Sequence, residues 1–290
     1  NDPLLEVKEI QERLDAVKEL KDNMMLRGEI TDTLKKVYDI ERLAGKMTYG
    51  NANARDMITL KNSLERLPEV KSVLETCQSH KLKELYENLD ELKDVFALIE
   101  KSIVEDPPMT IKDGGIIKLG YDEEIDTLKK ASTEGKTWLA KLEADEKEKT
   151  GIKTLKVGYN KVFGYYIEVS KSFVSQVPER FIRKQTLTTG ERYITDELKT
   201  IENQILGAEE KVVNLEYNAF VEIRTEIAKN IKRLQKTANV VSTLDVLSSF
   251  AQVAEDMNYC MPVVKDDGII KIKEGRHPVI EKMIGSGNFV

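Results

Sequence analysis

Apolar residues recur every three or four positions along most of the chain, with polar residues between them, which is the spacing of amphipathic helices. Within residues 1–104 this pattern predicts four helices: one from about residue 4 to 20, one through Leu34, Val37, Ile40 and Leu43, and two at about 53–76 and 81–102. The tandem prolines Pro107 and Pro108 then predict an irregular connection, because proline disfavours a continuing helix.

Two much longer helical patterns follow. From Asp122 to about Thr150 no proline interrupts a strongly charged stretch with an apolar stripe, which predicts one helix about 43 Å long at 1.5 Å per residue. From Thr195 to about Asn230 the apolar residues alternate at spacings of three and four, the pattern of a coiled-coil seam. A further helix is predicted through Leu234 and Val253.

The segment between the two long helices has a different period. In residues 153–195 apolar and polar residues alternate, and the stretch YNKVFG is a turn candidate, so a β-hairpin is predicted. The stretches FIRKQTL and ERYIT predict a third and a fourth strand, which makes a small antiparallel β module. Because the ends of a compact insert lie close together, we expect two antiparallel helices with this module at their tip. Residues 261–280 also alternate around the turn DDG and predict a second hairpin.

Composition indicates a folded, helix-rich protein and excludes a disordered chain. Of the 290 residues, 40% are hydrophobic and 33% charged, and the formal net charge is −6. No apolar run approaches the ~20 residues needed to cross a membrane, and no signal peptide is present, so we expect no membrane association. Cys77 and Cys260 are interpreted as buried reduced thiols, which fits a cytoplasmic location.

No pattern of catalytic residues is present. The two histidines, His80 and His277, have no second ligand at a spacing typical of metal sites, and His80 is expected at the surface. The many Asp and Glu residues are interpreted as solvated helix faces. The sequence has no GxxxxGK[ST] phosphate loop and no glycine-rich dinucleotide turn. We therefore expect no enzymatic activity, no cofactor and no metal ion in this segment.

The β module is basic although the chain is acidic. Residues 153–193 contain eight Lys and Arg against three Glu, a local charge of +5 in a chain whose total is −6. Such a module is attracted to polyanions, and its Lys, Arg, Thr, Ser and Asn side chains are those that contact phosphate and sugar. Two interpretations remain open on charge alone: a nucleic-acid interface, or a helical interaction module whose basic tip docks an acidic protein. The aromatic residues of the module are expected to form its core.

Several stretches resemble the bacterial MutS DNA mismatch repair family. The clamp of that family resembles LKVGYNKVFGYYIEVSKS together with VPERFIRKQTLTTGERYITDELKTIENQI, and IKEGRHPVIE resembles the segment that leads into its ATPase domain. The chain begins NDPLL without Met and stops at GSGNFV, so we expect a fragment of a longer protein. The resemblance implies a mainly α fold, in which two long antiparallel lever helices carry an inserted antiparallel β clamp, followed by the first strands of an α/β ATPase domain. The implied segments are residues 1–152 and 196–257 for the lever and core, 153–195 for the clamp and 258–290 for the start of the ATPase domain.

The resemblance also implies a role and partners. The clamp holds duplex DNA through its backbone, a second copy completes the dimer, and a MutL-type repair protein is a further partner in a nucleoid-associated, cytoplasmic complex. ATP and Mg²⁺ belong to the full-length family, and Phe289 matches its adenine-stacking aromatic. The side chains expected to face DNA are those in the turns and strand ends of the basic module: Lys161, Lys171, Arg183, Lys184, Thr188, Thr189 and Arg192. Lys153 and Lys156 are expected to be solvated charges near the helices.

Overall fold

Two long helices joined through a four-stranded sheet dominate the larger part of the chain. The computed structural model describes residues 3–284. The helices are α1 (Val7–Asp22), α2 (Met24–Leu34), α3 (Ile40–Thr48), α4 (Ala54–Leu64), α5 (Leu67–Glu75), α6 (His80–Asn88), α7 (Lys93–Ser102), α8 (Glu123–Thr150), α9 (Asp196–Lys229), α10 (Ile231–Asp256) and α11 (Pro278–Ile284). The strands are β1 (Lys156–Asn160), β2 (Gly164–Ser170), β3 (Ile182–Thr186) and β4 (Gly190–Ile194). The predicted mainly α fold with a small antiparallel sheet is confirmed.

The chain divides into two compact units, and the first is assembled from three separate segments. It comprises Asn1–Thr31, Val73–Glu87 and Thr243–Val290. The Glu19 carboxylate of α1 accepts hydrogen bonds from the backbone N–H groups of Gln78 and Ser79 at 2.6 and 2.7 Å, and so caps the beginning of α6. The buried Arg27 donates to the backbone oxygen of Leu20 and to Gln252 Oε1, which joins α1, α2 and α10.

The second unit, Asp32–Ser72 and Asn88–Ser242, contains the two long helices and the sheet. The sequence sets both helix starts through side-chain caps: Asp122 accepts from the N–H of Ile125 at 2.9 Å and Thr195 from the N–H of Leu198 at 3.1 Å. Helix α8 ends at Gly151, whose φ of 72° is the left-handed conformation that glycine adopts without strain.

Helices α8 and α9 are antiparallel, as predicted. Lys129 pairs with Glu216 at 2.6 Å and Lys136 pairs with Glu209 at 2.7 Å, so residue numbers rise along one helix while they fall along the other. The helices approach closely at Gly135, where an added Cβ would lie 2.5 Å from Ile205 Cγ1. Glycine at this position therefore sets the distance between the two helix axes.

The sheet has the strand order β1-β2-β4-β3, and every pair is antiparallel. The first hairpin pairs Lys156 with Glu168 and Asn160 with Gly164. Gly190 begins β4 where that strand lies against β2, and an added Cβ there would lie 2.3 Å from the backbone oxygen of Val169. The stretch GERYIT thus starts with glycine because the close approach of two backbones leaves no room for a side chain.

Three of the predicted helices are wrong in their extent. The helix predicted through Leu34 and Leu43 is interrupted at residues 35–39, where Asp39 caps a new helix by accepting from the N–H of Arg42. The pattern at 53–76 is two helices, because Pro68 lacks an N–H and cannot occupy a helix interior. The pattern at 81–102 is also two helices, separated by a turn in which the Asp90 carboxylate accepts from the N–H of Leu92.

The hairpin predicted within residues 261–280 is also wrong. Residues 258–277 form neither helix nor strand, and Ile269, Ile270 and Ile272 are exposed. An isolated two-stranded hairpin is at best marginally stable, and no other strand of residues 3–284 pairs with this segment. Cys77 is buried as expected, whereas Cys260 is exposed because it lies in this irregular segment.

Candidate nucleic-acid interface

The inner face of the sheet packs on the ends of the two long helices. One buried core contains Leu139 and Leu142 of α8, Leu198, Ile201 and Ile205 of α9, and Ile167, Val169, Phe181 and Tyr193 of the β module. Of the module's aromatic residues, Phe181, Tyr193, Tyr165 and Phe173 belong to this core or pack against it, as expected. The expectation is wrong for Phe163, which is 48% exposed, and for Tyr166, whose ring lies under the guanidinium of Arg192 on the other face of the sheet. The sheet is therefore fixed to the helix pair by its apolar face, and its opposite face and ends remain available.

Carboxylates on the helices orient the sheet further. Glu143 of α8 accepts from the N–H of Val157 at 2.8 Å, and Glu202 of α9 accepts from the N–H of Tyr165 at 3.1 Å. These bonds place β1 beside α8 and β2 beside α9. Burial of Glu143 opposes its ionisation, but Lys147, which donates to it at 2.6 Å, and the Val157 N–H together hold the pKa of Glu143 below its usual value.

A buried ion pair anchors the loop between β2 and β3. Glu146 of α8 is buried, and both of its oxygens accept from Arg180, at 2.8 and 2.7 Å. This bidentate geometry fixes the end of a loop that begins with a 3₁₀ helix at Lys171–Gln176. The interpretation of the acidic residues as solvated helix faces is thus wrong for Glu146. It is wrong also for Glu216, which is buried.

The outer face of the sheet carries a polar row that crosses all four strands. Paired residues of neighbouring strands lie on one face, and this row consists of Lys156, Glu168, Arg192 and Gln185. Arg192 donates to Glu168 and to Gln185, both at 3.0 Å, and its guanidinium lies 4.1 Å from the ring centre of Tyr166. Arg192 therefore lies on the accessible face but is engaged within the sheet.

One end of the sheet collects hydroxyl groups and lysines. The N–H of Lys171 donates to the backbone oxygen of Thr189 at 3.0 Å, so Lys171 lies beside the β3–β4 turn that contains Thr188 and Thr189. The hydroxyls of Thr154 and Ser170 are 2.8 Å apart. We call this end of the module the distal edge.

Lys153 belongs to the distal edge as well. It precedes Thr154, while Lys171 follows Ser170, so the two lysines flank one hydrogen-bonded hydroxyl pair. Lys153 is exposed and follows the end of α8 by three residues, in line with the expectation of a solvated charge near the helices, and it also lies beside this hydroxyl pair. The strand register explains this arrangement: Lys156 pairs with Glu168, so two residues earlier Thr154 lies opposite Ser170.

Lys161 lies at the other end of the module. It occupies the β1–β2 turn, whereas Lys171 follows the last residue of β2. A strand of seven residues separates the two, roughly 20 Å at about 3.3 Å per residue. The seven residues predicted to face DNA thus do not form one cluster, although Lys161, Lys171, Lys184, Thr188 and Thr189 are all exposed.

Arg183 and Lys184 lie on β3, an edge strand of the sheet. The pairing of β3 with β4 is irregular between Arg183 and Gln185, so Lys184 occupies a bulge. Arg183 is mostly exposed, and its Nη1 is 3.6 Å from Glu191 Oε1. Charged residues and bulges on an edge strand also prevent pairing with other chains. The charges at Arg183 and Lys184 and the bulge at Lys184 therefore have a structural explanation that requires no ligand.

The arginines and lysines of the module differ in their partners. Arg180, Arg183 and Arg192 each have a carboxylate within 4.0 Å. In the described part of the chain no carboxylate comes within this distance of the remaining five cations, which are Lys153, Lys156, Lys161, Lys171 and Lys184. The free positive charge of the module is therefore carried by lysines.

Phe289 lies outside residues 3–284, and the sequence has no phosphate loop. No helix of the described part is long and apolar enough to span a membrane.

The family model described as MutS domain III matches residues 1–251. The chain belongs to the MutS family. Three relatives are each named DNA mismatch repair protein MutS: that of Acetivibrio thermocellus is 53% identical over 288 residues, that of Caldanaerobacter subterraneus subsp. tengcongensis 55% over 286, and that of Ruminiclostridium cellulolyticum 55% over 288. Each alignment covers 99% of this chain and 33% of the relative. The chain thus spans about a third of the length of these MutS proteins.

Proposed function

We propose that this chain is the lever and clamp region of a DNA mismatch repair protein, and that its β module holds duplex DNA. The observation that carries the proposal is the set of five lysines with no carboxylate of the described residues within 4.0 Å, on a small sheet fixed to the end of two antiparallel helices. The names of the MutS relatives support a role in mismatch repair.

The proposed contacts are to the DNA backbone. Lysine ammonium groups and Thr or Ser hydroxyls are donors to phosphate oxygens, and such contacts position a protein on a duplex without reading its sequence directly. The distal edge supplies both kinds of donor within a few residues, from Lys171 and Lys153 to Thr188 and Thr189. We therefore expect binding that is indifferent to base sequence and to a mismatch.

The two long helices are proposed to act as the lever. At the end remote from the sheet, Glu216 of α9 is buried and accepts from Lys129 of α8 and from the backbone N–H groups of Gly115, Ile116 and Ile117. The helix pair is thus fixed at both ends, by this buried carboxylate and by the core under the sheet. A pair of helices held in this way moves as one element. It is therefore suited to couple DNA binding at the β module to conformational changes in other parts of the protein.

The remaining family properties are proposals for the whole protein. They are an ATPase domain that uses ATP and Mg²⁺, a second copy of the chain and a MutL-type partner in a nucleoid-associated complex.

A salt titration tests the proposed DNA contacts. Neutralising phosphates releases counterions, and the slope of log K against log salt is near −0.9 per contact on duplex DNA. We expect the variant Lys153→Glu/Lys171→Glu to bind every duplex more weakly and to have a slope shallower by about 1.8, which corresponds to two contacts. The variant Arg183→Glu/Lys184→Glu tests the edge strand in the same way.

The matched control is Lys130→Glu/Lys211→Glu, which reverses one exposed lysine on each long helix, outside the helix segments that pack on the sheet. Circular dichroism checks folding, since exposed charge changes alter stability by no more than about 0.5 kcal/mol. If the folded clamp variants keep the wild-type affinity and slope, the proposed contacts are wrong, and the module either meets DNA through another surface or does not bind it. Docking of an acidic protein, the alternative for a basic tip, is then tested with the same variants.

A further inference from the structure

Outside the basic module, the first unit brings together three side chains that can ligate a metal ion. They are Glu12 of α1 and His80 and Glu84 of α6, and one ligand atom of each lies within 4.8 Å of the other two. His80 and Glu84 are four residues apart, so they lie on one face of α6. His80 Nδ1 is 3.4 Å from Glu12 Oε1 on the neighbouring helix. The expectation that His80 lacks a second ligand missed this pair, because Glu12 is distant along the chain and inconspicuous in an acidic sequence.

We propose that Glu12, His80 and Glu84 form a binding site for a divalent transition-metal ion, with Zn²⁺ as the preferred ion. One imidazole nitrogen and two carboxylates suit Zn²⁺, whereas Mg²⁺ and Ca²⁺ prefer ligand sets made only of oxygen. Three protein ligands leave a coordination position for water.

The geometry requires only a small closure. Zinc–nitrogen and zinc–oxygen bonds of about 2.0–2.2 Å place tetrahedral ligand atoms roughly 3.4 Å apart. The His80–Glu12 distance already has this value, and the third ligand atom, which lies within 4.8 Å of the other two, must approach each of them by at most about 1.4 Å. The side chains of His80 and Glu84 are 72% and 41% exposed, so an ion can reach both from solvent.

Two lysines compete with the ion. Lys81 Nζ is 2.7 Å from Glu84 Oε2, and Lys8 Nζ is 3.9 Å from Glu12 Oε1. A metal ion must displace Lys81 from Glu84, which lowers the affinity of the site. Removing this lysine therefore strengthens metal binding, whereas removing a ligand weakens it.

Binding would join two distant segments of the first unit. The same two segments are already linked where Glu19 caps α6. A bound ion adds a second link at Glu12, about two turns from Glu19 along α1. It stabilises the folded unit by mass action, because the unfolded chain does not hold the three ligands together.

The test is calorimetric titration of the 290-residue chain with zinc chloride after chelation, together with thermal unfolding with and without Zn²⁺. We expect His80→Asn and Glu84→Gln each to weaken Zn²⁺ binding at least tenfold and to abolish the zinc-dependent rise in the melting temperature. Lys81→Met should tighten binding severalfold. Mg²⁺ at the same concentration should not change the melting temperature.

Two matched variants control for other zinc ligands. His277→Asn changes the only other histidine, and Cys260→Ser removes the exposed thiol. Both should bind Zn²⁺ as the wild type does. The proposal is overturned if no binding is seen at about 100 µM Zn²⁺, because a dissociation constant above this value is too weak for such a link. It is also overturned if His80→Asn binds Zn²⁺ as well as the wild type, or if Cys260→Ser loses binding. Because His80 is largely exposed, its replacement leaves the fold intact, which circular dichroism verifies.

Discussion

Replacing Arg180 by Met should destabilise the junction between the sheet and the helices, because it leaves the Glu146 carboxylate buried without a partner. Both donors that Glu146 accepts from belong to Arg180, and the Glu146 side chain is 1% exposed. Removing one member of a buried pair costs about 3–5 kcal/mol. Arg180 itself is 45% exposed, so water reaches the vacated position, and we expect the lower value of about 2–3 kcal/mol.

The double variant Glu146→Met/Arg180→Met distinguishes the loss of the ion pair from the cost of leaving the Glu146 carboxylate buried without a partner. Replacing both members of a buried ion pair by apolar residues of similar volume is often neutral or stabilising. We therefore expect the double variant to be more stable than Arg180→Met, with a coupling energy of about 2 kcal/mol in the mutant cycle.

Trp138 provides the assay. It is the only tryptophan and packs against the core beneath the sheet, so its fluorescence reports unfolding at this junction. With a urea dependence of about 1–3 kcal/mol per molar, a loss of 2 kcal/mol lowers the midpoint by roughly 1 M. The control is Lys136→Met, which breaks an exposed pair with Glu209 and should cost less than about 1 kcal/mol. A midpoint for Arg180→Met equal to that of Lys136→Met, or a double variant as unstable as the single one, would refute the reasoning.

Two further predictions concern helix packing and the thiols. Gly135→Ala should lower the free energy of unfolding, measured by the same urea titration, by about 1–3 kcal/mol, because its Cβ has no room between the long helices. Gly207→Ala should raise the free energy of unfolding by up to about 1 kcal/mol, because no atom lies within 4 Å of its Cβ. A lower midpoint for Gly207→Ala would contradict this expectation. In native protein at pH 8 a thiol reagent should label Cys260 and spare Cys77, since burial, together with the Glu19 charge, raises the pKa of the Cys77 thiol to about 12. Labelling of both thiols at equal rates would show that the first unit opens readily.

The long helices and the β module were predictable because their signals are periodic and extend over many residues. The seam of α9 is confirmed for Leu198, Ile201, Ile205 and Val212, which are buried. The helix breaks at residues 35–39 and 89–92 were missed, since each depends on one carboxylate that accepts a backbone N–H. Such local bonds do not change the apolar period from which the helices were predicted.

The candidate site was predictable in composition but not in arrangement. Positive charge within residues 153–193 is visible in the sequence, yet strand pairing decides that Lys161 and Lys171 lie at opposite ends of β2. The buried carboxylates Glu146 and Glu216 could not be distinguished from solvated ones, because each depends on a partner more than thirty residues away in sequence.

The division between arginines and lysines in the module has a physical reason. The planar guanidinium donates two parallel hydrogen bonds, so an arginine such as Arg180 suits a fixed position against a carboxylate, while the ammonium of lysine is a mobile point charge. Arginines engaged with Glu146, Glu168 and Glu191 are therefore part of the architecture, and the five unpaired lysines remain available for an anionic ligand. Arg180→Lys should consequently impair the fold, since an ammonium cannot bridge both oxygens of Glu146 with the same geometry. Lys171→Arg should preserve binding to DNA, because any cation at the distal edge can neutralise a phosphate.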